Sequence, residues 1–469
     1  MKKTLGIFLP LYTTTLFLLL GSGLLTTYIS LRLNAIHVSG GLIGAIIAAN
    51  YIGLVIGGKV GHFLIARVGH IRAYVACAGI ITAAVIGHGL TEYLPVWVML
   101  RLIIGLCMMC QFMVLESWLN DQAESSQRGM VFGVYMAATY LGMTLGQVVL
   151  MVQSGLGMST LLVIALCFAL CLVPIALTTR TNARHMSPAP MELRYFTQAI
   201  PKVLATTLVI GMLIGAFYGL APVYTSQQAL STQQTGLFMA IAVFAGLVVQ
   251  FPLSWLSDRY NRQLLMRVNA ILLVLAALPL AVLPQIHFPV LLTLGFVVSM
   301  LQFTLYPLAV ALANDMIEPE RRVSLAACLL MAFGVGASIG PLIVGLLIQP
   351  LGGNILYAFF ALCGVMIVAF NRSVKKDEEQ FVQDAPLPHV PMPDSLVSSP
   401  LSPALNPAFD EQMIQDTMPP PETAPEPPAE GNASPQSQAD EATAEDENAP
   451  PQGADPDEDT GLKKAYTML

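Results

Sequence analysis

The sequence predicts an all-α membrane protein: twelve transmembrane helices in two pseudo-symmetric six-helix bundles, followed by a disordered C-terminal tail. Three observations carry this. First, 55% of the 469 residues are hydrophobic and only 11% are charged, and every long apolar run lies in positions 1–376. That composition excludes an ordinary soluble enzyme of this length. Second, Asn120, Asp121, Glu124, Arg128, Gly142 and Gly146 return as Asn314, Asp315, Glu318, Arg322, Gly336 and Gly340, all 194 positions on. Six matches in register point to a duplicated unit, and internal symmetry of this kind marks transporter folds. Third, charge divides where hydropathy does: 20 Lys/Arg and 9 Asp/Glu stand before Asp377, against 2 and 20 from Asp377 onward. The net charge of -7 therefore hides a basic membrane body joined to an acidic tail.

A bilayer core needs roughly 20 apolar residues per helix. Counted on that basis, spans fall near 5–31, 41–66, 73–90, 96–119, 130–152, 160–177, 203–224, 235–256, 264–283, 289–313, 323–347 and 355–370. The first run follows Met1-Lys2-Lys3 as a signal peptide would, but it is too long for an ordinary h-region and lacks a clear cleavage site, so it reads as a retained anchor. The division expected is an N-terminal bundle over 1–177, a linker over 178–202, a C-terminal bundle over 203–371, and an acidic, Pro-rich tail over 372–469. The tail lacks the apolar residues to form a core. Two shorter echoes accompany the main one: Gly23-Leu24-Leu25-Thr26-Thr27-Tyr28 is answered by Gly219-Leu220-Ala221-Pro222-Val223-Tyr224, and the basic turn around Arg67 by the one around Arg259.

Orientation follows from the basic residues. An N-terminus inside makes Lys2, Lys3, Arg67, Arg72, Arg128, Arg180, Arg184, Arg194, Arg259, Arg262, Arg321, Arg322, Arg372, Lys375 and Lys376 cytoplasmic and leaves only Arg32 outside. Both termini are then cytoplasmic. The seven cysteines all lie in apolar runs, as small hydrophobes rather than a disulfide framework. Cys107-x-x-Cys110 has metal-ligand spacing without the further ligands a zinc site needs. Neither a metal nor a cofactor is expected.

Twelve spans in two similar halves, with basic turns after spans two and eight, resemble the major facilitator superfamily. Glu116-Ser117-Trp118-Leu119, Tyr140-Leu141-Gly142, Gly146-Gln147 and Phe303-Thr304-Leu305-Tyr306-Pro307 are similar to its bacterial YcaD-like branch. The superfamily's turn signature is best kept as Ser254-Trp255-Leu256-Ser257-Asp258-Arg259-Tyr260-Asn261-Arg262. Asp258 would face the positive start of span eleven beside Arg321 and Arg322, where a carboxylate gains from dipole and charge alike. Asp258, Arg259 and Arg322 thus read as a cytoplasmic gate. In the first half the signature is worn, His62 and Ala66 replacing Gly and Asp while Arg67 and Gly69 remain.

Glycine stripes form a second constellation: Gly53, Gly57 and Gly61 in span two, Gly142 and Gly146 in five, Gly336 and Gly340 in eleven. Small residues let backbones approach closely. The resemblance pairs span two with eleven and five with eight, and a rocking interface or static packing both suit the stripes. Gly133-x8-Gly142-x3-Gly146 is similar to the pattern of proton-coupled drug exporters, except that Gln147 stands where a Pro follows there; the Pro appears instead as Pro341.

Ionisable groups in the membrane point to function, since leaving a charge in hydrocarbon costs at least about 2.5 kcal/mol. Arg101 opens an Arg-x3-Gly pattern with Gly105 that resembles the superfamily's fourth-helix motif for substrate or proton handling; snorkelling to the interface is the alternative. Glu116, on the same broad face, is either a proton acceptor that toggles with access or the partner of an Arg such as Arg128. Tyr28, Gln111, Tyr218, Tyr224, Gln302 and Tyr306 would line the central path, spans one, four, seven and ten lining the cavity in the superfamily. Pro222 and Pro307 would interrupt their helices there.

The function implied is a secondary transporter moving a small solute by alternating access, energised by a substrate gradient or by protons. The alternative is a transporter-like receptor or scaffold acting through its acidic tail. An enzyme is not expected, because the seven histidines are scattered without paired spacing. The partners expected are a small-molecule substrate, the lipid bilayer and protons, with no nucleic acid, in a monomer.

Overall fold

The computed structural model describes residues 2–123, 128–152, 155–177, 192–257, 259–318, 321–372 and residue 399. Fourteen α-helices, and no strand, run through these described residues: α1 (Lys2–Ala35), α2 (Gly40–Val68), α3 (His70–Leu90), α4 (Leu94–Gln122), α5 (Arg128–Val152), α6 (Met158–Leu170), α7 (Leu172–Ala176), α8 (Leu193–Ala199), α9 (Pro201–Gln227), α10 (Thr232–Ser257), α11 (Arg262–Val282), α12 (Phe288–Asp315), α13 (Arg322–Leu351) and α14 (Ile355–Phe370). Eleven segments among them are long and apolar enough to cross a membrane, taking Met158–Ala176 as one. The twelfth, α14, has 16 residues and spans about 24 Å.

Each expected span has its helix, with two differences. The sixth is broken at Cys171, because Pro174 cannot return a hydrogen bond to the carbonyl of Leu170, four residues back, where α6 ends. The expected linker carries α8. Conversely, Pro222 and Pro307 lie inside α9 and α12 without ending them. Apart from Arg372 and Ser399, the tail expected to be disordered lies outside the described residues.

The duplication is visible in the turns. The α1–α2 turn closes with bonds from Ile36 N to Arg32 O, His37 N to Asn34 O and Val38 N to Leu33 O; the α9–α10 turn closes with Gln228 N to Tyr224 O, Ala229 N to Ser226 O and Leu230 N to Thr225 O, each 192 positions on. His37 and Ala229 both sit at φ 58°, a left-handed conformation that non-glycine residues seldom adopt. This register corrects the echo that sets Gly23 against Gly219. Those two lie one helical turn out of equivalence, a slip that hydrophobic periodicity cannot detect because neighbours four apart share a face.

Packing repeats with the turns. α1 lies on α5 as α9 lies on α13, α2 on α4 as α10 on α12, and α3 on α4 and α6 as α11 on α12 and α14. Two further pairings, α2 with α13 and α10 with α5, exchange with one another under the same operation. A Cβ on Gly142 or Gly146 would meet the carbonyl oxygens of Leu16 or Leu20; on Gly336 or Gly340 it would meet those of Leu208 or Met212. The expected helix pairs are present, but these stripes seat α5 on α1 and α13 on α9, and Gly53, Gly57 and Gly61 seat α2 on α4. They therefore do not form the α2–α13 and α5–α10 contacts.

This packing sets an expectation for stability. Gly336→Ala drives a methyl into the Leu208 carbonyl and lowers stability by about 1–3 kcal/mol, the usual cost of overpacking. Gly58→Ala meets no atom within 4 Å and leaves it unchanged. Thermal unfolding of the purified protein in detergent distinguishes the two.

Candidate functional site

The α1–α6 and α9–α14 groups touch at matched places. A Cβ on Gly44 of α2 would meet the carbonyl oxygen of Pro341 in α13, and one on Gly236 of α10 would meet that of Gln147 in α5. Gly44 and Gly236 are 192 positions apart, Gln147 and Pro341 194, so these are one contact written twice. Gly40 adds a backbone contact with Gly345. Ser30 Oγ donates to Gly219 O at 2.7 Å, and Asn34 Nδ2 to Ser226 Oγ at 3.0 Å. All these residues lie at the end of the bundle where α1, α5, α9 and α13 finish and α2 and α10 begin.

Toward the middle, aromatic and amide groups from four helices converge. Tyr140 of α5 packs edge-on to Phe303 of α12 at 6.2 Å, Tyr218 of α9 meets the same ring at 5.8 Å, and Gln250 of α10 donates from Nε2 to Tyr140 Oη at 3.4 Å. Gln302 and Tyr306 share a face of α12, one turn apart. Tyr306 packs on Phe333 of α13 at 5.0 Å, and the fully buried Gln302 amide has no hydrogen-bond partner among the described residues.

The structure does not bring the other pathway residues to this cluster. Tyr28 Oη donates to Leu156 O and lines a cavity of about 170 Å³ with Arg32, His88, Glu92 and Trp97. Tyr224 packs on Tyr357 of α14 at 4.8 Å, and Gln111 is buried on α4. Arg101 is also buried, so the snorkelling alternative does not describe it. Its Nη2 donates to Thr26 Oγ1 of α1 at 3.4 Å, and its Nε finds no partner among the described residues.

Glu116 has no exposed surface. Tyr135 of α5 donates to its Oε1 at 3.1 Å, and Ser399 donates from its backbone N–H and its hydroxyl. No cation pairs with it among the described residues. The side chain of Arg128, the partner considered from sequence, lies outside them.

A family model described as Major Facilitator Superfamily matches residues 11–305 and 285–409. The chain belongs to the major facilitator superfamily. Among curated relatives, an uncharacterized MFS-type transporter YcaD of Salmonella enteritidis PT4 is 29% identical over 352 residues, 74% of this chain and 90% of that protein. Among solved structures, a nucleoside transporter NupG aligns with a TM-score of 0.67 at 16% identity, over 78% of this chain and 100% of that one. A D-xylose-proton symporter aligns at 0.65 and 17%, over 78% and 97%. The chain is thus a multi-pass membrane protein and a secondary transporter, and the family match runs into the tail as far as residue 409.

At the other end of this transporter stand the residues read as a gate. Asp258 lies outside the described residues. Arg259 is exposed, its guanidinium 4.1 Å above the Trp255 ring. Arg67 is exposed too, while Gly69 turns the chain from α2 to α3 at φ 85°, a conformation that favours glycine. Arg322 is buried at the start of α13. Arg321, expected beside Asp258, bonds Glu192 at 3.0 Å and lies 4.1 Å over the Tyr195 ring, so the linker and α8 engage the start of α13.

Sequence reading missed a buried ion pair at this end. Arg262, the first residue of α11, is buried and pairs with Asp315, the last of α12, at 2.5 Å; its Nε donates to Ser257 Oγ. The signal was present, since Asp315 belongs to the repeated skeleton, but Arg262 reads as one more basic residue of the turn. The first half places His70, first in α3, against Ser117 Oγ of α4 at 3.2 Å. Breaking the Arg262 pair strands a buried charge: Arg262→Ala is expected to cost about 3–5 kcal/mol, and the double variant Arg262→Leu with Asp315→Leu much less. Melting temperatures of the purified variants check this.

Proposed function

We propose that the chain carries a small neutral or weakly charged solute across a bacterial inner membrane by alternating access, with Glu116 as the proton-coupling group. The observation that carries the reading is the gathering of matched Gly44–Pro341 and Gly236–Gln147 contacts at one end of the bundle. The distribution of Lys and Arg supports assigning that end to the outside, with both termini cytoplasmic. The conformation then reads as closed outside. Opening it requires parting α2 from α13 and α10 from α5, two equivalent seams that a single rocking motion can undo together.

Glu116 suits coupling because, among the described residues, this buried carboxylate accepts from neutral donors alone, and protonation is then its route to neutrality. The Tyr140, Gln250, Phe303 and Tyr218 cluster, with Gln302 and Tyr306, suits a neutral solute: aromatic faces bury it and amides orient it. Arg101 supports a weakly anionic group as the limit of that class.

Two outcomes test the reading. Asn34→Cys with Ser226→Cys ties α1 to α9 at the closed end; oxidation is expected to stop uptake into vesicles and reductant to restore it. Glu116→Gln is expected to abolish accumulation driven by an imposed pH gradient while leaving solute exchange at equal pH intact. Gradient-driven accumulation at the unsubstituted rate would remove Glu116 from the coupling step.

A further inference from the structure

The cavity of about 170 Å³ beside Tyr28 lies within the first repeat, at the end where α1 and α3 finish and α4 and α6 begin. Leu94, Leu156 and Leu161 give it apolar walls, and Arg32, His88 and Glu92 share them. His88 retains 2% of its surface. Its ring packs edge-on to Trp97 at 5.0 Å, and its Nδ1 donates to Ala84 O at 2.7 Å, because a carbonyl accepts and does not donate. Nε2 of the neutral ring is then an acceptor, and it has no partner among the described residues. The half-buried Arg32 guanidinium and the exposed Glu92 carboxylate stand 3.9 Å apart, a loose pair that leaves both open to another partner.

The second repeat tells which of these groups the fold requires. With α9 192 positions after α1, and α11 the same distance after α3, Arg32 answers to Tyr224 and His88 to Leu280; α12, which starts 194 positions after α4, sets Leu291 against Trp97. Tyr224 packs on Tyr357, and Leu280 and Leu291 have no exposed surface. The first repeat thus holds an imidazole where an aliphatic side chain serves the same packing. A buried acceptor left unpaired costs stability, so a group that packing does not require and no described residue satisfies calls for a partner from outside the chain. The cavity that His88 lines is where such a partner can sit.

We propose that this cavity binds a small zwitterion of the amino-acid class with an apolar side chain, its carboxylate on Arg32 and its ammonium on His88 Nε2 and Glu92. A simple anion satisfies Arg32 but brings no donor to Nε2, and a simple amine leaves Arg32 to Glu92; an ammonium beside a carboxylate serves all three side chains. The helices supply dipoles of both signs, the positive starts of α4 and α6 at Leu94 and Met158 and the negative ends of α1 and α3 at Ala35 and Leu90. Size limits the side chain: a protein cavity of about 150 Å³ takes a molecule as large as benzene, so a branched aliphatic amino acid is near the upper bound here. The site lies inside one repeat, whereas the path proposed for the transported solute lies between the two, so neither reading rests on the other.

The test uses the full-length protein in detergent with L-valine as the probe, binding being read by equilibrium dialysis of the labelled amino acid and by the rise in melting temperature. Isovalerate, which lacks the ammonium, and isobutylamine, which lacks the carboxylate, are each expected to bind about tenfold more weakly than valine, the effect of losing a hydrogen bond to a charged group. Arg32→Gln weakens valine by a similar factor. His88→Leu, which gives α3 the side chain that α11 has at Leu280, is expected to keep or raise the melting temperature of the unliganded protein while weakening valine about tenfold. Valine binding that survives both Arg32→Gln and His88→Leu places the amino acid elsewhere and overturns the site, as does a melting temperature unmoved by millimolar valine. Isovalerate binding as tightly as valine overturns the zwitterion. None of these readouts involves flux, so a failure of the transport reading is seen separately.

Discussion

Everything in this structure depends on how closely one backbone can approach another. Helices in lipid gain little from burying apolar side chains against each other, because the tails are as apolar as leucine, so association rests on close van der Waals contact. Here glycines supply it twice over. One set, at Gly142, Gly146, Gly336 and Gly340, seats helices inside each repeat; a second, at Gly40, Gly44 and Gly236, joins α2 to α13 and α10 to α5. The first set sees its neighbour at equivalent carbonyls in both repeats, which suits permanent packing. The second lies at one end only, where contact can be made and broken without unfolding either repeat.

On that symmetric scaffold the chemistry is asymmetric. α4 carries the buried Arg101 against α1 and the buried Glu116 against α5, whereas α12 offers an amide and aromatic rings at Gln302, Phe303 and Tyr306. At the opposite termini, α3 meets α4 through His70 and Ser117, while α11 meets α12 through a buried ion pair. The sites Gln147 and Pro341 occupy equivalent places, yet Gln147 also donates to Gly23 O of α1 at 2.9 Å, which a proline could not do. Duplication set the geometry, and divergence gave the matched positions different side chains.

Several readings of sequence and structure part company for identifiable reasons. Helix existence was legible at each of the twelve spans because length and lack of charge are one-dimensional properties. The glycine stripes were legible as close contacts, but a stripe does not name its partner. The 192-residue register of α1 and α9 was not legible, since similar short motifs recur at one-turn offsets and only the hydrogen-bonded turns at His37 and Ala229 decide between them. The Arg262–Asp315 pair was hidden because both residues sit among other charges at helix ends. Ser399 was hidden differently: treating the tail as one acidic unit conceals a nearly uncharged window inside it.

The sequence by itself determined the membrane class, the number and rough limits of the spans and the duplication, because each follows from hydropathy, spacing and composition read along the chain. The tertiary structure alone decided which helices the glycines join, which polar side chains meet, and that Ser399 reaches Glu116. Those are contacts between residues as far as 283 positions apart, and no local periodicity encodes them. In a chain of nearly interchangeable apolar helices, partner choice is settled by the fit of small residues and a few buried polar groups, and that fit exists only once the helices are assembled.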